Sequence, residues 1–177
     1  MKYFNVFYFT ILSFAIMSQS FDLPKSIQKK VDKEIKTTYH IDLFLLEPIA
    51  ISDEINSKLP SKINQNLFKI LDGKSLIGYA FIGKALGKVD DFDFLVLFDE
   101  NLVISKSKIL IYREDYGGEI GSKRWLQQFE GKSIEDNLVY KQDIIGISGA
   151  TLSANAMTVA VNNLLKSIHI LQLNKII

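Results

Sequence analysis

Residues 143–157 read DIIGISGATLSANAM. Two glycines, two serines, a threonine and three alanines stand between a β-branched apolar run and a long helical pattern. Downstream, Met157, Ala160, Val161, Leu164, Leu165, Ile168 and Leu171 recur at helical spacing, which predicts a helix opening near Ser153, with Ser153 as its N-cap. A helix N-terminus presents unpaired N–H groups and the positive end of a dipole, and such an end receives a phosphate well. Gly149 has no Cβ to hold a ligand off the backbone, Ala150 adds little bulk, and Thr151 sets a hydroxyl beside the phosphate position. The same residue types also make an ordinary loop and cap. Neither the G-x-x-x-x-G-K-[ST] nor the G-x-G-x-x-G phosphate loop is present here.

Upstream, the chain reads as a β-meander. Asn66–Leu71 leads into the turn dipeptide Asp72-Gly73. Ser75–Lys84, Phe92–Asp99 and Leu102–Tyr112 follow as further strands, with Asp99-Glu100-Asn101 as a turn. Asn137–Ile147 (NLVYKQDIIGI) is expected to add another strand. Between the last two strands, Ser122–Phe129 has helical spacing, with Trp125, Leu126 and Phe129 on one side and Gly131 as its stop. Pro24–Thr37 predicts a helix that buries Ile27, Val31 and Ile35 and turns a lysine-rich face to solvent. Ile41–Ile51, interrupted by Pro48, fits a short strand or an irregular crossing. The fold class expected is α+β: a largely antiparallel sheet of four to six strands with flanking helices.

The 177 residues suit one domain, with residues 66–177 as its body and residues 21–65 as an N-terminal helix and connecting segment. Residues 1–20 have the pattern of a secretory signal peptide. Lys2 is followed by the apolar run Val6–Met17, and Ser18 and Ser20 stand three and one before a cut ahead of Phe21; an uncleaved N-terminal anchor is the alternative. Removing this segment takes away Lys2 and brings the formal net charge from +1 to zero, which gives no electrostatic reason to expect a nucleic-acid partner. The chain has no cysteine, which excludes disulfides, Fe–S clusters, cysteine-type zinc sites, C-x-x-C-H haem attachment and a lipoprotein anchor. Asp90, Asp91 and Asp93 are read as a polar turn feeding a strand, and His40 and His169 as surface residues, because neither set has the spacing of a ligand group.

The run ISGATLSANAM followed by an apolar helix resembles the signature of the FMN-binding domain family, which includes the covalent-flavin subunits of the sodium-translocating NADH:quinone oxidoreductase and of the Rnf complexes. In that family a motif Asp-x-x-[Ser/Thr]-Gly-Ala-[Thr/Ser] carries FMN esterified through its phosphate to the last residue. Ser148, Gly149, Ala150 and Thr151 match it, with Thr151 at the ester position; the family's Asp position is Ile145 here, and Asp143 lies two residues earlier. Ile109–Ile134 resembles the family's second signature at Glu114, Gly117, Gly118, Glu119, Trp125, Phe129, Gly131 and Lys132. The resemblance spans about residues 67–171.

The resemblance implies FMN as cofactor, phosphate on the N–H groups of residues 152–154 (Leu152, Ser153 and Ala154), and a flavin ring against the Tyr116–Gly118 turn and the Trp125 helix. It further implies a flavin transferase, dependent on FAD and Mg, as modifying partner, and a redox partner protein in the membrane. The domain would be an electron-transfer component rather than a stand-alone enzyme, exported to the periplasm or the outer face of the cytoplasmic membrane. Two other classes remain: the same fold holding FMN or another ligand without an ester, and an interaction protein without flavin.

Overall fold

The computed structural model describes residues 23–63 and 65–177; the expected signal peptide, residues 1–20, lies outside the described residues. Five strands form one antiparallel sheet in chain order: β1 (Leu45–Pro48), β2 (Leu67–Asp72), β3 (Ser75–Leu86), β4 (Asp91–Asp99) and β5 (Ile104–Ile111). The helices are α1 (Lys25–Tyr39), α2 (Asp53–Lys58), α3 (Lys123–Leu126) and α4 (Thr151–Leu173). The expected α+β meander is therefore present. Segment 21–65 supplies α1, β1 and α2, so it shares the sheet with the rest of the chain.

β4 shows why this sheet needs two covers. Phe92, Phe94, Val96 and Phe98 join the core that includes α4, whereas Leu95 and Leu97 join the core built on Ile27, Val31 and Ile35 of α1. A strand buried on both faces reads as a continuous apolar run rather than an alternating one. Gly78 of β3 is required by close packing: a Cβ there would lie 2.1 Å from the carbonyl oxygen of Phe98, the atom to which Tyr39 Oη donates at 2.7 Å. Burial of that phenol pushes its pKa up.

Three local expectations are corrected. Residues 137–147 are not a strand. They form a turn closed by one parallel bridge, Tyr140 to Ile144. Lys141 takes φ 66°, Leu138 N–H donates to Asn162 Oδ1 at 2.8 Å, and Val139 N–H donates to Asp143 Oδ2 at 2.8 Å; side chains take the bonds a ladder would need. The last helix begins at Thr151, with Ala150 in the N-cap place and no side-chain cap, so Ser153 lies inside the first turn. The helical piece around Trp125 is a 3₁₀ turn at Gly118–Gly121, then α3, then a second 3₁₀ turn at Gln127–Phe129. Trp125, Leu126 and Phe129 are buried as expected, and Gly131, at φ +80°, ends the piece.

The undecided stretch Ile41–Ile51 contains β1, an edge strand that ends at Pro48. His40 is exposed, whereas His169 is half-buried on α4, with Nδ1 shielded and unpaired among the described residues. At the C-terminus Leu171 is buried, and Ile176 and Ile177 pack on the same core.

Candidate functional site

Three pieces of chain meet at one end of the sheet. The β3–β4 hairpin loop brings Lys88, Val89 and Asp90. The exit from β5 brings residues 112–116. The start of α4 brings Gly149 to Ser153. Together they line an open cleft of about 610 Å³, a size in the range that holds a cofactor or drug-sized molecule.

The α4 side is built for an anion. Gly149 stands at φ +84°, a conformation that disfavours any residue with a Cβ, and the space where its Cβ would be is open. The chain then enters α4 directly, and Ala154 N–H makes the first helical bond, to Ala150 C=O at 2.9 Å. The N–H groups of Thr151, Leu152 and Ser153 thus have no carbonyl within the helix to meet. The donors available to a phosphate are those of residues 151–153, one position earlier than the 152–154 expected. Thr151 is exposed, with its side chain on the cleft. A phosphate and a hydroxyl that can be esterified to it therefore fit this helix start.

Ser153 is only 3% exposed, and its role is not capping. Tyr112 Oη donates to Tyr116 C=O at 2.9 Å, so the Ser153 hydroxyl, 3.1 Å away, is the donor to Tyr112. The Tyr112 ring is fixed in turn against Phe92, with ring centroids 6.0 Å apart. Gly117 completes this junction at φ +85°: a Cβ there would come within 2.7 Å of Tyr112 Oη and 3.2 Å of Ala150 Cβ. One phenol thus ties the turn after β5 to the first turn of α4.

Glu114 holds the hairpin loop. Its Oε1 accepts Val89 N–H at 2.8 Å and Asp90 N–H at 3.3 Å. Those amide bonds, Val89 first, hold its carboxyl below the usual carboxylate range. Beneath the loop, Asp93 is 2% exposed and pairs with Arg113, whose other terminal nitrogen donates to Asp91 C=O at 2.7 Å; Lys84 Nζ stands 3.9 Å from Asp93. The acidic stretch is accordingly a turn at Asp90 that runs into β4 at Asp91, with Asp93 buried between Arg113 and Lys84, and among the described residues no cluster of metal-ligating side chains is present.

Of the residues expected at the site, Gly149, Ala150, Thr151, Leu152, Ser153, Glu114 and Tyr116 line the cleft, and Gly117 packs behind it. Ser148, Gly118, Glu119 and Trp125 do not line it. Trp125 is core: it meets Phe129 edge-on at 5.3 Å, and its Nε1–H donates to Ile145 C=O at 2.7 Å. Gln128 Oε1 accepts Ile145 N–H at 2.7 Å, so Trp125 and Gln128 together grip the approach to the Ser148-Gly149 turn. Sequence reasoning missed Lys88, Val89, Asp90, Tyr112, Arg113 and Asp115 as lining residues. Tyr112, Arg113 and Asp115 lie within Ile109–Ile134 beside the positions that carry the resemblance, Lys88 to Asp90 lie in the turn before β4, and no local pattern marks their meeting with α4.

Residues 87–166 match the family model described as FMN-binding domain. Among solved structures the fold is similar to the crystal structure of NqrC from Shewanella oneidensis, with a TM-score of 0.58 and 15% identity, covering 86% of this chain and 100% of that one. No curated protein matches the chain. The matched span takes in β4, β5, the Gly117 turn and most of α4, and with them every residue that lines the cleft. The chain carries an FMN-binding domain at residues 87–166, and FMN is its cofactor.

Proposed function

We propose that Thr151 bears FMN as a phosphoester and that the domain relays electrons between a membrane or periplasmic donor and an acceptor. The observation that carries this reading is the exposed Thr151 hydroxyl at the first residue of α4, on a cleft whose helix N–H groups are open. A flavin transferase using FAD and Mg would make the bond. The Thr151 oxygen attacks the phosphorus of the FMN half, the pyrophosphate bond breaks, AMP leaves, and the hydroxyl proton passes to solvent. FMN supplies one- and two-electron chemistry. The protein's part is attachment at Thr151, phosphate binding at residues 151–153, and a rigid wall made by Tyr112, Gly117 and the loop held by Glu114.

Export to the periplasm or the outer face of the cytoplasmic membrane fits the leader-like residues 1–20 and gives attachment a purpose, since a lost cofactor is hard to replace there. The redox partner would then be a membrane protein. A second reading, FMN held without an ester, is favoured by Ile145 at the family's Asp position; Asp143 is engaged with Val139 N–H in the turn before it. Protein co-produced with a flavin transferase separates the two by intact mass after denaturation. A gain of one FMN less water, located on the peptide with Thr151, supports the ester. Flavin released by acid, with an unmodified chain, supports the second reading.

A further inference from the structure

Five charged side chains line the flavin cleft: Lys88, Asp90, Arg113, Glu114 and Asp115. Three of them are engaged by the protein itself. Arg113 pairs with Asp93 and donates to Asp91 C=O, Glu114 Oε1 accepts the amides of Val89 and Asp90, and Asp90 Oδ1 accepts Asp91 N–H at 2.7 Å. Lys88 and Asp115 remain. Both are exposed, and neither makes a salt bridge among the described residues. Lys84, the lysine nearest to Lys88 in the sequence, stands 3.9 Å from Asp93 and does not line this cleft. Of the two cations that line it, Lys88 is therefore the one left to meet a ligand.

Lys88 is carried by a loop with little freedom. Gly87 N–H donates to Asp90 C=O at 2.9 Å and closes the hairpin. A Cβ at Gly87 would lie 2.4 Å from Glu114 Oε1, so the loop backbone is seated directly on that carboxylate. The Val89 amide foremost, and Lys88 after it, hold the Glu114 carboxyl low, which places the Lys88 charge beside Glu114 on the cleft. Glu114 and Tyr112 are two residues apart, at most about 7 Å along the chain, and Tyr112 Oη lies 3.1 Å from Ser153 Oγ in the first turn of α4. The loop and the helix start are thus fastened to the same short piece of chain and share one cleft. A lysine ends a flexible four-carbon stem with a point charge and three donors, which suits it to follow a phosphate held on the amides of residues 151–153.

We infer that Lys88 is the counter-cation of the FMN phosphate, reaching it from the β3–β4 loop while the amides at the start of α4 hold it from the helix side, and that the two together make the cleft prefer a phosphorylated flavin to riboflavin. Helix amides alone accept any small anion; the lysine adds a charge that riboflavin cannot use. The inference rests on FMN as the cofactor and is indifferent to how FMN is attached. A phosphate esterified to Thr151 keeps one negative charge, and a free phosphate monoester carries about −1.5 to −2 at pH 7. Asp115, the other unpaired charge, repels phosphate, so the part of the cleft at Asp115 and Tyr116 is left to the ring.

The test uses the full chain produced without a flavin transferase, titrated with FMN and with riboflavin by quenching of flavin fluorescence. The readout is the ratio of the two dissociation constants, to which the shared ring contributes equally. Lys88→Gln should weaken FMN about fivefold at low salt, the upper range for an exposed ion pair, and leave riboflavin unchanged. The difference should vanish at about 1 M NaCl, and Lys88→Arg should restore the preference. Lys88 is exposed, so both variants should keep the far-UV spectrum and Tm. Equal weakening of FMN and riboflavin assigns Lys88 to the ring and overturns the inference, as does an FMN constant that the substitution leaves unchanged. In the flavin-loaded chain the phosphorus NMR resonance should move on Lys88→Gln while the visible flavin bands stay. A fixed resonance overturns the inference, and this arm decides where the free chain binds neither flavin measurably. Absence of acid-stable flavin sinks the ester reading alone, since the free-chain ratio does not depend on it. A chain that takes up no flavin by either route overturns the inference as well.

Discussion

Tyr112 Oη and Ser153 Oγ lie 3.1 Å apart, joining the exit of β5 to the first turn of α4 across 41 residues of sequence. This bond couples the wall of the cleft to the helix start that carries Thr151. In Tyr112→Phe the ring keeps its packing on Phe92, while Ser153 Oγ and Tyr116 C=O each lose a partner. The expected cost is about 1 kcal/mol in unfolding free energy, read by urea titration. Flavin occupancy, measured as the ratio of flavin to protein absorbance, should fall by more than that stability loss accounts for, because the helix entrance loosens.

Thr151 is exposed at the first helical position, so its loss should leave the fold intact. Thr151→Ala is expected to shift stability by no more than about 0.5 kcal/mol and to abolish acid-stable flavin. Thr151→Ser should retain it, since the hydroxyl is all the ester requires. Intact mass after denaturation checks both; acid-stable flavin on the alanine variant would remove Thr151 from the proposal.

The Glu114 contacts predict an acid-sensitive loop. Its folded-state pKa is depressed below the ordinary 4.5, with the Val89 amide as the leading cause. A depressed carboxylate stabilises the fold above its unfolded pKa, and that contribution disappears as pH falls through the folded value. Amide exchange at Val89 and Asp90 should therefore accelerate, relative to the intrinsic rate, as pH drops below 4.5. In Glu114→Gln the loop should exchange faster already at neutral pH and lose most of this acid dependence.

Arg113 is a structural cation despite lining the cleft. Arg113→Met leaves the carboxylate of Asp93 buried, with only Lys84 at 3.9 Å to compensate. Only Asp93 is buried, Arg113 being 34% exposed, so the expected cost is that of a buried acceptor left short of a partner, about 1–3 kcal/mol, and the nearby lysine favours the lower end. Asp93→Asn together with Arg113→Met should recover part of the loss, as chemical denaturation of the single and double variants would reveal.

Much of the fold was readable from local pattern. The spacing of Ile27, Val31 and Ile35 marked the buried side of α1, the strand-rich run from residue 66 to 112 marked a meander, and the apolar stripe from Met157 to Leu171 marked α4. These survive because periodicity is fixed by backbone geometry and needs no knowledge of distant neighbours. The strand expected at residues 137–147 failed for the complementary reason. Its β-branched residues favour extended backbone, but Asn162 and Asp143 offered side-chain acceptors that drew the amides of Leu138 and Val139 out of any ladder.

The sequence by itself determined the chemistry of the helix entrance: a small-residue turn, a glycine able to hold positive φ, and a hydroxyl at residue 151. It could not determine what faces that entrance. Tertiary structure decided that Ser153 answers Tyr112 rather than capping α4, that Trp125 packs in the core while Lys88 and Asp115 line the cleft, and that Glu114 secures a loop 25 residues away. The physical reason is that a helix start is specified by neighbouring residues, whereas a cleft wall is specified by which strand ends the sheet brings beside it.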